Sequence, residues 1–204
     1  TIPRHGRVAP ADRYGQRHAR GGTKRELFVS CAIDAQSLPD VLEPGLSLIF
    51  CGINPGMRAA ATGHHFEGRN NRFWQTVHLA GFTPQQIRPE DDCTLLRYGC
   101  GLTTAVSRPT ARAGELSRLE IEAAASDFQR KIEQYAPRYV AFLGKMAISA
   151  MSGRRDIQWG LQADRFGGAR AWVLPNPSGL NRAYSLDSLV SAYRELYVAV
   201  ASSS

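Results

Sequence analysis

Four short, almost unbroken apolar runs constrain this chain more than any other feature: 46–53 (LSLIFCGI), 102–106 (LTTAV), 139–143 (YVAFL) and 171–174 (AWVL). A strand that is apolar at nearly every position, not at alternate ones, needs cover on both faces, as in a parallel sheet. Between the runs the period becomes helical. Ile121, Ala124, Ala125, Phe128, Ile132 and Tyr135 recur every three or four residues, behind a Ser117-Arg-Leu-Glu120 capping box and ahead of Pro137. Leu186, Leu189, Val190, Tyr193, Leu196, Tyr197 and Val200 form a second apolar face, which Ser185 is placed to cap. Shorter helices are predicted at 73–80 and 89–98. Alternating strand and helix predicts an α/β fold: an open, mainly parallel sheet of about four strands with helices on both faces.

A length of 204 residues, 43% of them hydrophobic, suits one core and is too short for two ordinary domains. No run approaches the roughly 20 apolar residues that span a bilayer, and the first residues lack a signal-peptide core, so a soluble, intracellular protein is expected. The net charge of +7 is concentrated at the start, where residues 1–26 hold seven basic side chains against two acidic ones. Residues 1–26 therefore read as a disordered basic arm ahead of a single domain at 27–204. Such an arm either adds affinity for phosphate backbones or serves as a solubilising extension. Cys31, Cys51, Cys93 and Cys100 show no CxxC pair and no accompanying histidine pair, so reduced thiols and no metal are expected, with Cys51 a small buried hydrophobe.

Open parallel sheets bind ligands beyond the carboxyl ends of their strands, which directs attention to the loops after Ile53 and Leu174. In the first, Gly52-Ile53-Asn54-Pro55-Gly56, two glycines clear space for a flat ligand and a proline fixes the turn. Asn54 there suits either a turn or a ligand contact. In the second, Pro175-Asn176-Pro177-Ser178-Gly179-Leu180-Asn181-Arg182, a polar residue held between prolines precedes an apolar tip and a cation. These are the ingredients of a rigid probe, although Asn176 also suits a plain turn.

With NRFW at 71–74, AGF at 80–82, LGK at 143–145 and WVLPNPSGL at 172–180, the two loops form an ordered set of motifs from about residue 46 to 200. The set resembles the mismatch-specific uracil-DNA glycosylases, bacterial relatives of thymine-DNA glycosylase within the uracil-DNA glycosylase superfamily. The resemblance implies a monomeric, monofunctional DNA N-glycosylase without cofactor or metal. Such an enzyme flips uracil, and thymine or ethenocytosine, out of double-stranded DNA at pairs with guanine and hydrolyses the N-glycosidic bond, initiating base-excision repair. Residue by residue, it implies that Asn54 positions the attacking water and that the backbone of Ile53 and Gly56 lies against the base. Phe66 stacks on the base and Asn176 contacts it. Gly179, Leu180, Asn181 and Arg182 supply the wedge and the contacts to the opposite strand.

The chemistry of these residue types is consistent with that assignment. An amide is no general base near neutral pH, so the reaction has to rest on orientation and electrostatic stabilisation, and a slow enzyme is expected. Unstacking a base costs a few kcal/mol, least when it is mispaired, and an apolar wedge offsets part of that cost. The chain also departs from relatives. Asn176 stands where other branches place a histidine, and all five histidines precede residue 79. Ala59 and Ala61 occupy small-residue positions of the pocket wall, and Thr103-Thr104 lacks a lysine that some relatives carry.

His64 and His65 read as solvated loop residues, and Arg69, Arg72, Arg108 and Arg112 as surface cations. Glu67, Asp91 and Asp92 are carboxylates that could assist Asn54, although Asp91 and Asp92, next to Pro89, also suit a helix start. A catalytically silent mismatch-binding module is the main competing reading. A serine hydrolase using Ser178 lacks the GxSxG elbow, Gly144-Lys145-Met146 lacks the rest of a phosphate loop, and the cysteine spacing disfavours the iron–sulfur branch.

Overall fold

A computed structural model describes residues 38–203; the basic arm expected at 1–26 and the domain start at 27 lie outside the described residues. Five strands form one sheet: β1 (Leu48–Gly52), β2 (Cys100–Thr104), β3 (Tyr139–Leu143), β4 (Gly160–Phe166) and β5 (Ala169–Leu174), in the order β2-β1-β3-β5-β4. The β2-β1-β3-β5 pairings are parallel and β4 runs antiparallel to β5. The four apolar runs all became strands, with boundaries moved by up to two residues. The strand at 102–106 starts instead at Cys100, because Cys100 and Gly101 pair with Leu48 and Ile49.

The fifth strand, β4, was not anticipated. Its sequence, GLQADRF, is mostly exposed and pairs on one side only, so it has neither an apolar run nor a second neighbour to require one. It joins β5 through Gly167-Gly168, both with positive φ, the backbone a tight hairpin turn needs.

The helices form where their caps direct. In α3 (Arg118–Tyr135), the Ser117 hydroxyl accepts from the Glu120 N–H and the Glu120 carboxylate accepts from the Ser117 N–H at 3.0 Å. It ends at Ala136, in the left-handed region at φ 45°, just before Pro137. The Ser185 hydroxyl caps α5 (Leu186–Ala201), accepting from Ser188 N–H at 3.1 Å. The stretch at 73–80 is α2 (Phe73–Ala80), while Pro89–Tyr98 is 3₁₀-helical and broken at Asp91. Two short helices, α1 (Met57–Thr62) and α4 (Lys145–Ser152), follow β1 and β3.

Successive strand side chains point to opposite faces, so β1 feeds two cores. Leu48 and Phe50 join Phe73, Val77, Leu189 and Tyr193 from α2 and α5. Ile49 and Cys51 join Ile121, Phe128, Ile132 and Ala147 from α3 and α4. Burial also raises the thiol pKa of Cys51 and pushes that of Cys100 up to about 12, which suits inert core residues. Among the described residues no helix is long and apolar enough to cross a membrane.

The connection from β1 leads to β2 on one side of it, whereas that from β3 leads toward β5 on the other. The chain thus diverges at the carboxyl ends of β1 and β3 and opens a crevice there.

On the outer side of β2, Val41 exchanges two backbone hydrogen bonds with Leu102, of 2.9 and 2.8 Å, and so covers part of that sheet edge. A Cβ on neighbouring Gly101 would lie 2.8 Å from the Val41 carbonyl oxygen and 2.6 Å from Leu46 Cδ1. Gly101→Ala is expected to push this segment off the edge and destabilise the fold by about 1–3 kcal/mol in urea titration.

Candidate active site

The loop after β1 is laid down as a continuation of the sheet. Beyond the last β1–β2 pair, Ala105, Val106 and Thr110 donate their N–H groups to the carbonyls of Gly52, Ile53 and Pro55 at 2.9–3.1 Å. This pairing fixes the backbone on both sides of Asn54. The Asn54 amide Nδ2 donates to the Arg108 carbonyl and to the Thr110 hydroxyl, both at 2.8 Å. Both amide protons are thereby engaged, and the oxygen Oδ1 remains as the acceptor.

Asn176, at the end of β5, is oriented the opposite way. Its Oδ1 accepts from the Ser178 N–H at 2.9 Å, closing an Asx turn, so its Nδ2 donors remain. Its backbone carbonyl accepts from Asn181 Nδ2 at 2.9 Å. The turn reading of Asn176 is therefore correct, and it is compatible with a ligand-facing amide.

Arg72, expected as a surface cation, instead ties this second loop together. Its guanidinium donates to four carbonyl oxygens, those of Pro177, Ser178, Asn181 and Tyr184, at 2.6–3.3 Å. Its own backbone N–H also donates to Pro177. The planar fork of an arginine can reach four acceptors in one loop where a lysine ammonium cannot. Gly179 is pressed against the preceding segment: a Cβ there would lie 2.5 Å from both Asn70 Cβ and its carbonyl oxygen. Leu180 is 71% exposed and precedes the Ser185 cap of α5, so it is neither a core residue nor part of the helix.

Ile53, Asn54, Gly56, Phe66, Asn176 and Leu180 line one cavity of about 140 Å³. A cavity of ~150 Å³ holds a benzene ring, so the space suits one six-membered ring. Gly179, Asn181 and Arg182 line an adjoining open groove with Arg69, Asn70 and Arg72. Ala59 is on the cavity wall but Ala61 is not, because residues two apart on α1 face different ways.

Phe66 is held in the left-handed region, φ 56°, a costly conformation for an aromatic residue. The neighbouring His65 explains how it is maintained. His65 is 1% exposed, not solvated: its Nε2–H donates to the Pro39 carbonyl at 2.8 Å and its N–H to Asp92 Oδ2 at 2.9 Å. Its carbonyl accepts from Trp74 Nε1 at 3.1 Å. With His65 fixed at three points, the Phe66 ring stacks on Phe73, centroids 3.8 Å apart. Phe73 meets Phe50 of β1 edge to face, so the platform is joined to the core. Sequence spacing gave no sign of this, since His65 is fixed by residues 26 and 27 positions away.

The three carboxylates separate clearly. Glu67 lines the cavity and pairs with Arg58 at 2.8 Å; hydrogen bonds from Thr62 and Arg58 hold its pKa below the ordinary value. Asp92 is buried and serves His65, while exposed Asp91 pairs with Arg88. Arg58, Arg88, Arg108, Arg118, Arg130 and Arg154 each have a carboxylate partner. Arg69, Arg112 and Arg182, around the cavity mouth and groove, are in no ion pair with a described residue. Among the described residues, no group of three or more His, Cys, Asp or Glu side chains converges as metal ligands would.

Fold and site together define an α/β protein that can hold one planar ring beneath a cation-rimmed surface. A family model of the uracil DNA glycosylase superfamily matches residues 39–197, and the chain belongs to that superfamily of DNA glycosylases. The solution NMR structure of a candidate uracil DNA glycosylase from Methanosarcina acetivorans is similar, with a TM-score of 0.54 at 20% identity. The match covers 80% of this chain and 98% of that one, and it shows a shared fold.

Two outcomes follow from the supporting residues. Arg72→Lys leaves loop carbonyls unpaired and is expected to cost about 1–3 kcal/mol in urea denaturation, with faster amide exchange at 178–182. Burial lowers the His65 pKa, against the opposing pull of Asp92 and Asp40, so the folded state keeps it neutral where the unfolded chain takes up a proton. Stability should accordingly be present above the unfolded value of about 6.5 and fall as pH drops below it. In His65→Gln, urea titrations between about pH 6.5 and 5 should show a shallower slope; an unchanged slope would assign the pH dependence elsewhere.

Proposed function

We propose that this protein is a monofunctional, mismatch-specific DNA glycosylase that acts as a monomer on double-stranded DNA. It removes uracil, and thymine or ethenocytosine, from pairs with guanine. The observation that carries this reading is the opposed presentation of two amides on one ring-sized cavity: an acceptor at Asn54 and donors at Asn176.

In this reading a flipped base enters the cavity against the backbone of Ile53 and Gly56 and stacks on Phe66. Asn54 Oδ1 accepts a hydrogen bond from a water and turns a water lone pair toward the anomeric carbon. The C–N bond breaks with its electron pair passing to the base, and Asn176 Nδ2 donates to the base carbonyl oxygen on which that charge gathers. The water oxygen bonds to the oxocarbenium-like carbon, and its released proton goes to solvent. Orientation does most of the work, because neither amide can take that proton.

The second loop supports extrusion. Leu180, braced by Gly179 on Asn70 and by Arg72 below, fills the space the base leaves, while Asn181 and Arg182 meet the opposite strand. Arg69, Arg112 and Arg182, which are in no ion pair with a described residue, suit backbone phosphates, which supply sequence-independent affinity. Preference for mismatches follows from the lower cost of unpairing them.

End-labelled duplexes containing G:U, G:T, A:U or ethenocytosine opposite guanine test the assignment. Alkali-labile abasic sites are expected, faster at G:U than at A:U. Asn54→Ala should lose about 100-fold in single-turnover rate with duplex affinity kept, and Asn176→Ala about 10-fold. Mismatch-dependent binding without base release from any duplex would establish the silent binding module instead.

A further inference from the structure

We infer that Thr110 is a positioning residue that, together with the Arg108 carbonyl, locks which end of the Asn54 amide faces the cavity. The kinetic consequence rests on the glycosylase reading; the hydrogen-bond arrangement does not.

The two ends of an asparagine amide are almost equal in size, so packing does not choose between them. Hydrogen-bond direction does. The Arg108 carbonyl can only accept, and it takes one Nδ2 proton at 2.8 Å. The Thr110 hydroxyl could in principle donate or accept, but its own proton is committed to the Arg112 carbonyl at 2.9 Å. It can therefore only accept from Asn54, also at 2.8 Å. The result is a one-directional relay, from Asn54 N–H to Thr110 O–H to Arg112 C=O, that leaves Oδ1 for the cavity.

Thr110 is well placed to impose that direction. It is 4% exposed, and its N–H donates to Pro55 at 3.1 Å, in the bridge that pairs it with Gly56. The hydroxyl is thus fixed to the same loop whose side chain it orients. The relay also accounts for an amide, not a carboxylate, at position 54. A carboxylate would set an oxygen at the 2.8 Å position facing the Arg108 carbonyl oxygen, with no proton between them. Residues 107–112 belong to none of the motifs in the sequence, and Thr110 lies 56 positions from its partner.

Thr110→Val keeps the shape and removes the relay; Thr110→Ser restores the hydroxyl. On a G:U duplex, Thr110→Val is expected to lower the single-turnover rate about 10- to 100-fold, with duplex affinity within about twofold of wild type. Thr110→Ser should recover to within about threefold. In an Asn54→Ala background, Thr110→Val should cause no further loss.

A structural role would lower both backgrounds alike and would not be rescued by serine; either result overturns the proposal, as does a fully active Thr110→Val. A second readout needs no activity. In nitrogen-15 spectra the Asn54 side-chain amide protons should exchange slowly in wild type and Thr110→Ser and faster in Thr110→Val. Equal exchange in all three would overturn the relay. If wild type released no base from any duplex, the glycosylase reading would fall while these spectra still decided the orientation of Asn54.

Discussion

The fold depends on the burial of β1 on both faces between two parallel neighbours. All five of its residues are buried, and their alternation supplies Leu48 and Phe50 to one core and Ile49 and Cys51 to the other. Fully burying side chains of this size contributes roughly 1.5–3 kcal/mol each, so no other arrangement of this segment competes. Since β1 sits between β2 and β3, the chain has to leave its carboxyl end and that of β3 in different directions. The cavity lies in the resulting gap. Its position is a consequence of strand order before any polar residue is considered.

Two asparagines, Asn54 and Asn176, line this gap, and each is held by a loop that is itself held by backbone atoms. The 105–110 segment extends the parallel ladder beside Asn54, and the Arg72 guanidinium collects four carbonyls beneath Asn176 and Leu180. The proposed mechanism relies on orientation and needs such rigidity, because a small displacement of a positioned water loses most of the advantage of holding it. Exposed Leu180 stands on a loop whose carbonyls Arg72 holds from behind.

Phe66 follows the same pattern at a higher local cost. Its left-handed backbone persists because His65 is bound through its ring, its N–H and its carbonyl to three separate segments. Strain of this kind survives only where the surroundings over-determine it. The buried imidazole that read as a solvated loop residue is part of that support, and so is Asp92, which read as a candidate catalytic carboxylate.

The sequence by itself determined the elements and the two loops. Short unbroken apolar runs suit strands covered on both faces, as in a parallel sheet. The Ser117 and Ser185 caps are local hydrogen bonds that need no distant partner. The motifs at 52–56 and 172–180 were legible because glycine, proline and asparagine fix the backbone over a few residues. β4 was not legible, since an exposed edge strand draws its stability from β5 and not from its own pattern. Only the tertiary structure decided the hydrogen-bond partners of Arg72, His65 and Thr110. Their partners stand 26 to 112 positions away in the chain for the contacts that matter. A hydrogen bond between such distant residues leaves no periodicity or spacing to read, and it exists only once the sheet has brought the loops together.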